Sequence, residues 1–173
     1  NALTARGYQV QLDDLSILCG PDAATSQMKK PMVLLIIGGG IAAYKALETA
    51  RRIKQRGLDV TGVMTKSAAQ FITPLSVAAL TNQKCYDHLF SLTDEAEMGH
   101  IRLARSADLV LVMPATANLM ARAGCGLADD LATTILLATT APILMAPAMN
   151  PAMWAHPDPI NNQAILRQRG IHM

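Results

Sequence analysis

The stretch Met32-Val33-Leu34-Leu35-Ile36-Ile37-Gly38-Gly39-Gly40 decides how this chain is built. Six consecutive apolar residues mark a strand buried on both faces. A glycine triplet follows at once, and Ile41 to Arg56 then reads as a helix closed by Gly57. Strand, glycine turn and helix together form a site where backbone can approach a phosphate and a helix N-terminus attracts it. The same residues also make a tight turn that needs no ligand, and their spacing is not the GxGxxG of dinucleotide folds.

Working outward, Leu58 to Met64 is a second strand, ending in Thr65-Lys66-Ser67. A dinucleotide enzyme usually places Asp or Glu there for the adenosine ribose. Two hydroxyls instead suit a ligand whose phosphate they can meet, and a flavin mononucleotide fits better than NAD. Thr65 or Ser67 equally serves as a plain N-cap. Ala107 to Met113 is a further buried strand, followed by Pro114-Ala115-Thr116-Ala117-Asn118. These small residues admit a flat ring and supply hydrogen bonds, or they form an ordinary capped turn. Pro142 to Ala146 is the last full strand. Pro147-Ala148-Met149-Asn150-Pro151-Ala152-Met153-Trp154 follows it, with one amide, two thioethers and the single Trp between two prolines. Asn150 presents an acceptor and two donors that suit a carboxylate or amide; a rigid capping turn is the alternative.

The order of elements is βαβα, which predicts an α/β fold. It is a Rossmann-like or flavodoxin-like open parallel sheet with helices on both faces. Helices are expected over Ala68–Leu80, interrupted near Pro74, over Leu119–Ala138, broken by Gly124-Cys125-Gly126, and over Pro159–Arg169, capped by Gly170. Lys84–His88 reads as a short strand, Ser91–Glu97 as a loop, and Ile171-His172-Met173 as the start of one more strand. Asp129 and Asp130 read as helix caps, and Cys125 as a small packing residue. Residues 1–30 differ in character and read as an arm, so the domain proper is 31–173.

Of 173 residues, 51% are hydrophobic and 16% charged, which suits a compact core and an oligomer that hides apolar surface. Aromatics at 3% and a net charge of +2 give neither a stacking platform nor a basic footprint for nucleic acid. Cys19, Cys85 and Cys125 show no zinc spacing, and no metal ligand set is visible. No run has the length of a membrane span and no signal peptide is visible, so a reducing cytoplasm is expected. With no nucleophile arrangement in view, a cofactor must carry any hard chemistry. Met98-Gly99-His100-Ile101-Arg102-Leu103-Ala104 places His100 in a helical turn beside a glycine. A structural role is the commoner fate of such a lone His.

Four motifs together, Gly39 to Lys45, Met98 to Ala104, Pro114 to Asn118 and Pro147 to Trp154, resemble the homo-oligomeric flavin-containing cysteine decarboxylases over residues 32 to 173. The resemblance is strongest to the branch that decarboxylates phosphopantothenoyl-cysteine to phosphopantetheine in coenzyme A synthesis. A peptidyl-cysteine decarboxylase and a non-catalytic regulatory subunit are the alternatives. The resemblance implies FMN held by Gly39, Gly40, Ile41 and Ala42, with Thr65 and Ser67 nearby, and lined by Thr116, Ala117, Asn118, Leu119 and Ala148. It implies His100 as the catalytic residue and Asn150 and Met153 as substrate contacts. In this family FMN oxidises the cysteinyl thiol side to a thioaldehyde, the electron sink for loss of CO2. A homo-oligomer is implied, a trimer or a dodecamer of trimers with sites shared between subunits, and fusion to a phosphopantothenate–cysteine ligase domain. Thr116 and Leu119 depart from the family's Ser and Thr. The family's clamp cysteine lies downstream of Met173, so the domain is expected to be C-terminally incomplete.

Overall fold

The computed structural model describes residues 30–87 and 96–173. The expected arm before Lys30, His88, and the polar stretch from Ser91 to residue 95 lie outside the described residues.

Four parallel strands form the sheet: β1 (Met32–Ile37), β2 (Asp59–Met64), β3 (Leu109–Ala115) and β4 (Ile143–Pro147), in the order β2-β1-β3-β4. Two single bridges extend it. Tyr86 pairs with Val63 outside β2, and His172 pairs with Leu144 outside β4. Among the described residues of the strand expected at Lys84–His88, Tyr86 alone forms a bridge, its N–H donating to the Gly62 carbonyl at 2.9 Å. The chain runs one way from β1 to β2 and the other way from β3 to β4. The reversal falls between β1 and β3, where sheets of this kind open a ligand crevice.

The helices are α1 (Ala43–Gln55), α2 (Pro74–Thr81), α3 (Ala96–Ser106), α4 (Ala117–Gly124), α5 (Leu131–Ala138), α6 (Pro151–Trp154) and α7 (Pro157–Gln168). Alternation along β1 divides them between two faces, because successive strand residues point to opposite sides. Val33, Leu35 and Ile37 pack with Ala43, Ala46, Ala50 and Ile53 of α1 and Val77 of α2. Leu34 and Ile36 pack with Ala104 of α3, Leu119 and Met120 of α4, Ile135 of α5 and Leu166 of α7. All five residues from Val33 to Ile37 are inaccessible to solvent, as the apolar run required. Burying each large aliphatic side chain contributes about 1.5–3 kcal/mol, so β1 is the keel of both cores.

Local chemistry sets the element ends. Glu48 pairs with Arg51 and Arg52 on the exposed side of α1, and Gly57 at φ +83° lets the chain leave the helix. Pro74 opens α2 after the Thr73 cap instead of kinking one long helix, and Ala68–Gln70 forms a separate 3-10 turn. Asp130 and Thr133 form a reciprocal cap on α5, as expected for one of the two acids. Asp129 instead pairs with Arg122, which also holds Asp130 at 2.7 Å.

Three details differ from the sequence reading. The strand β3 continues through Pro114 to Ala115, with a shift of register between Val112 and Ala115. In β4 only Met145 is fully buried. That strand lies at the far end of the sheet from α1 and α2, so its second face is half covered. Cys125 is exposed instead of packed, because it follows the last turn of α4 on the surface.

Candidate active site

The carboxyl ends of all four strands meet on one rim, and hydrogen bonds and close contacts tie their turns together. The Thr65 N–H donates to the Ile37 carbonyl at 3.1 Å, joining the ends of β2 and β1. A Cβ placed on Gly38 would lie 2.3 Å from the Pro114 carbonyl oxygen, so the turns after β1 and β3 touch. The Ala148 N–H donates to the Ala115 carbonyl at 3.1 Å, which joins the turn after β4.

The glycine turn is shaped by what it excludes. A Cβ on Gly39 would sit 2.3 Å from Ser67 Oγ and 2.6 Å from the Ser67 carbonyl carbon. Gly38, which belongs to the glycine triplet but was not among the residues assigned to the cofactor, is pinned just as hard. Gly40 is free of this constraint, since its nearest neighbour would be Thr116 Cγ2 at 3.8 Å. Ile41 is exposed and Ala42 half-buried. The N-cap of α1, Ala42, provides no side-chain acceptor. The other α-helices with described caps all have one: Thr73, Thr116, Asp130, Asn150 and His156. The Ala43 and Lys45 N–H groups instead donate to the Gly40 and Ala42 carbonyls, each at 2.9 Å, so the start of α1 is closed by backbone and carries no capping side chain.

The two hydroxyls after β2 divide their work. Thr65 is buried. Its Oγ1 donates to the Ile37 carbonyl at 3.2 Å and accepts from the Ala68 N–H at 3.2 Å, so it holds the turn. Ser67 is exposed and its hydroxyl, among the described residues, reaches only Thr65 Oγ1, at 3.2 Å, which leaves it able to serve a ligand. In the third turn Thr116 caps α4, its Oγ1 accepting from the Leu119 N–H at 3.3 Å. Leu119 points into the core at 2% exposure, so its side chain does not face the rim. Ala117 and Ala148 are half-buried, and Asn118 is exposed.

Asn150 caps α6: its Oδ1 accepts from the Ala152 N–H at 2.8 Å. The cap occupies the acceptor and leaves the two amide donors outward, the polarity that suits a carboxylate. Met153 is 48% exposed beside it, whereas Met149 packs on the core. His100 is half-buried on α3, and no hydrogen bond joins it to a rim residue among the described residues.

A groove of about 530 Å³ adjoins this rim, lined by Asn118 and Met153 and by Ala121, His156 and Asn162 among others. The sequence reading did not find Asn162. The available signal was its place four residues before the buried Leu166, on the same side of α7. A cavity of about 520 Å³ lies at the other end of the sheet, between Leu137, Pro142 and Gly170. It shares no residue with the rim and sits by the amino ends of the strands, where open α/β sheets do not carry ligands. Burial, and secondarily the charge of Asp87, pushes the Cys85 thiol up to about 12, so it stays protonated and is no nucleophile at neutral pH. No cluster of three or more metal-ligating side chains occurs among the described residues. No helix among them is long and apolar enough to cross a membrane.

A doubly wound parallel sheet with a glycine turn after its first strand defines an α/β protein of the Rossmann-like or flavodoxin-like class. The chain belongs to the Flavoprotein family, whose model matches residues 22–173. It is similar to the coenzyme A biosynthesis bifunctional protein CoaBC of Vibrio vulnificus, with 48% identity over 141 residues, 82% of this chain and 35% of that protein. The CoaBC protein of Escherichia coli is 47% identical over 139 residues, 80% of this chain and 34% of that protein. The chain thus spans about a third of the length of these curated relatives. Among solved structures it resembles SpaF, described as an FMN-dependent cysteine decarboxylase, with a TM-score of 0.75 and 30% identity over 82% of both chains. A cysteine-to-serine variant of PPC decarboxylase, complexed with pantothenoylaminoethenethiol, aligns with a TM-score of 0.70 and 33% identity over 83% of this chain and 81% of that one.

Proposed function

We propose that this chain is the FMN-dependent decarboxylase of phosphopantothenoyl-cysteine, yielding phosphopantetheine, and that residues 31–173 carry it. The observation that carries the reading is the single rim on which the glycine cradle, the Ser67 hydroxyl and the Asn150 amide stand together. The cradle suits FMN because two glycines there exclude side-chain atoms. Gly39, Gly40, Ile41, Ala42 and Ser67 would hold the phosphate, with Thr65 fixing their turn. Thr116, Ala117, Asn118 and Ala148 would line the ring, and Leu119 would contribute through the backbone of α4 alone.

When bound, FMN supplies the two-electron oxidation and later reduction of the substrate's thiol-bearing carbon. The residues do the rest. Asn150 donates an amide hydrogen to the substrate carboxylate and fixes the bond to be broken. Met153 covers the cysteinyl end and excludes water. His100 takes the thiol proton on its imidazole nitrogen.

We place His100 in a site shared between copies of the chain. Ile41, Tyr44, Phe71 and Leu75 are 81%, 56%, 49% and 78% exposed, apolar surface that a homo-oligomer would cover. The curated relatives are about three times longer and are named as bifunctional, which supports fusion to a ligase domain. The test is direct. Purified protein should be yellow, release FMN on denaturation, and liberate CO2 from phosphopantothenoyl-cysteine. His100→Asn should keep FMN and lose turnover. A protein that cannot be loaded with FMN, or full turnover in the His100 variant, would remove the corresponding part. Preference for a peptide ending in cysteine would reassign the substrate.

A further inference from the structure

We propose that Lys66 supplies the counter-charge for the cofactor's phosphate and so makes this site prefer FMN to unphosphorylated riboflavin. This rests on the functional reading above and adds a residue that the reading does not use.

The four turns on the rim are Gly38 to Ala42, Thr65 to Ser67, Pro114 to Asn118 and Pro147 to Trp154. They hold one formally charged side chain between them, Lys66. A phosphate monoester carries a charge of about −1.5 to −2 at neutral pH. The neutral groups of the rim can donate hydrogen bonds to it but leave that charge unbalanced. The start of α1 adds little, because its Ala43 and Lys45 N–H groups are taken by the Gly40 and Ala42 carbonyls. Backbone contacts fix Lys66 from both sides. Before it, the Thr65 N–H donates to the Ile37 carbonyl at 3.1 Å. After it, Ser67 packs so closely on Gly39 that a Cβ there would lie 2.6 Å from the Ser67 carbonyl carbon. Lys66 is therefore anchored beside the glycine turn. Its side chain is exposed and makes no hydrogen bond, ion pair or ring contact among the described residues. Other cations of this region are engaged. Lys45 lies over the Tyr44 ring at 5.5 Å, Arg51 and Arg52 pair with Glu48, and Lys54 pairs with Asp59. An unpaired ammonium on a flexible stem acts on a phosphate as a point charge.

The probes are FMN and riboflavin, titrated by flavin fluorescence into the full chain freed of flavin. Lys66→Gln should weaken FMN about tenfold, the worth of one charge-assisted contact near solvent. Lys66→Glu should weaken it further, and Lys66→Arg should restore it. Riboflavin affinity should stay within about twofold in all three. The wild-type preference for FMN should shrink in about 1 M salt, where the screening length falls to about 3 Å, and Lys66→Gln should lose most of that salt dependence. Arg56→Gln removes the same charge at the far end of α1 and should change neither affinity. Tm identifies any variant that misfolds, and the remaining Lys66 variants then decide. Unchanged FMN affinity in folded Lys66→Gln and Lys66→Glu, equal weakening of both flavins, or the same loss in Arg56→Gln would overturn the role of Lys66. Wild-type protein that binds both flavins equally would strike that role alone, whereas wild-type protein that binds neither would strike the functional reading with it.

Discussion

The turn after β1 and the turn after β4 stand on the same rim but are held in opposite ways. The Gly38–Gly40 turn is held by contact with its neighbours, with no room for a methyl group at its first two positions. The Pro147–Trp154 turn is held by its own residues. Asn150 and Pro151 start α6, and Pro151, Ala152 and Met153 are all exposed. In the proposed reading, the cofactor cradle is made by removing side-chain atoms and the substrate contact by presenting them. The first is intolerant of any addition, and the second is sensitive only to the chemistry of one side chain.

Substitutions separate the two modes. Gly38→Ala and Gly39→Ala carry the largest expected effect. The new methyl meets backbone in each case, so stability should fall by about 1–3 kcal/mol or more, with loss of FMN, read by thermal unfolding and flavin fluorescence. Asn150→Ala comes next. It removes the cap, at about 0.5–2 kcal/mol, and the donor proposed for the substrate carboxylate, which should cost about tenfold to a hundredfold in kcat/KM. Asn150→Asp sharpens the point: the carboxylate still caps α6, so Tm should hold while turnover is lost to repulsion of the substrate carboxylate. Equal losses of Tm in both Asn150 variants would mean that this turn, too, is held by more than its cap. Gly40→Ala should be nearly silent, within about 0.5 kcal/mol, because only Thr116 Cγ2 lies nearby, at 3.8 Å. A large effect there would show that the cradle fails for a reason other than crowding.

The smallest effect concerns pH and the far end of α4. Burial raises the Asp130 carboxyl, but its bonds from the Thr133 N–H and hydroxyl and from Arg122 outweigh this and hold it below the ordinary value of 3.8. Its folded value being depressed, the stabilisation is present above the unfolded value and is lost as pH falls through the folded one. Unfolding followed downward from about pH 4 should therefore show a shallower acid limb in Asp130→Asn than in wild type. The difference should be modest, since the carboxylate remains partly exposed.

Much of this was legible in one dimension. Apolar runs are readable because a strand buried on both faces tolerates nothing else, and β1 fulfils that at every position from Val33 to Ile37. Caps such as Asp130 are readable because their partners lie within three residues. The roles of Thr65 and Ser67 were not separable, since both hydroxyls suit a cap or a ligand, and only the Ile37 carbonyl from another strand decides between them. Leu119 fell within a motif that suggested lining, yet helix phase turns its side chain into the core.

Local sequence thus prescribed strand, turn and helix, the places where each begins, and the chemical groups available at strand ends. Those properties depend on neighbours a few bonds away. Which turns would touch, which glycine would be pinned and that Asn162 would stand against Gly124 were settled only when β3 paired with β1 and α7 packed on α4. Contacts between residues far apart along the chain arise from packing in three dimensions, and no short window of residues contains them.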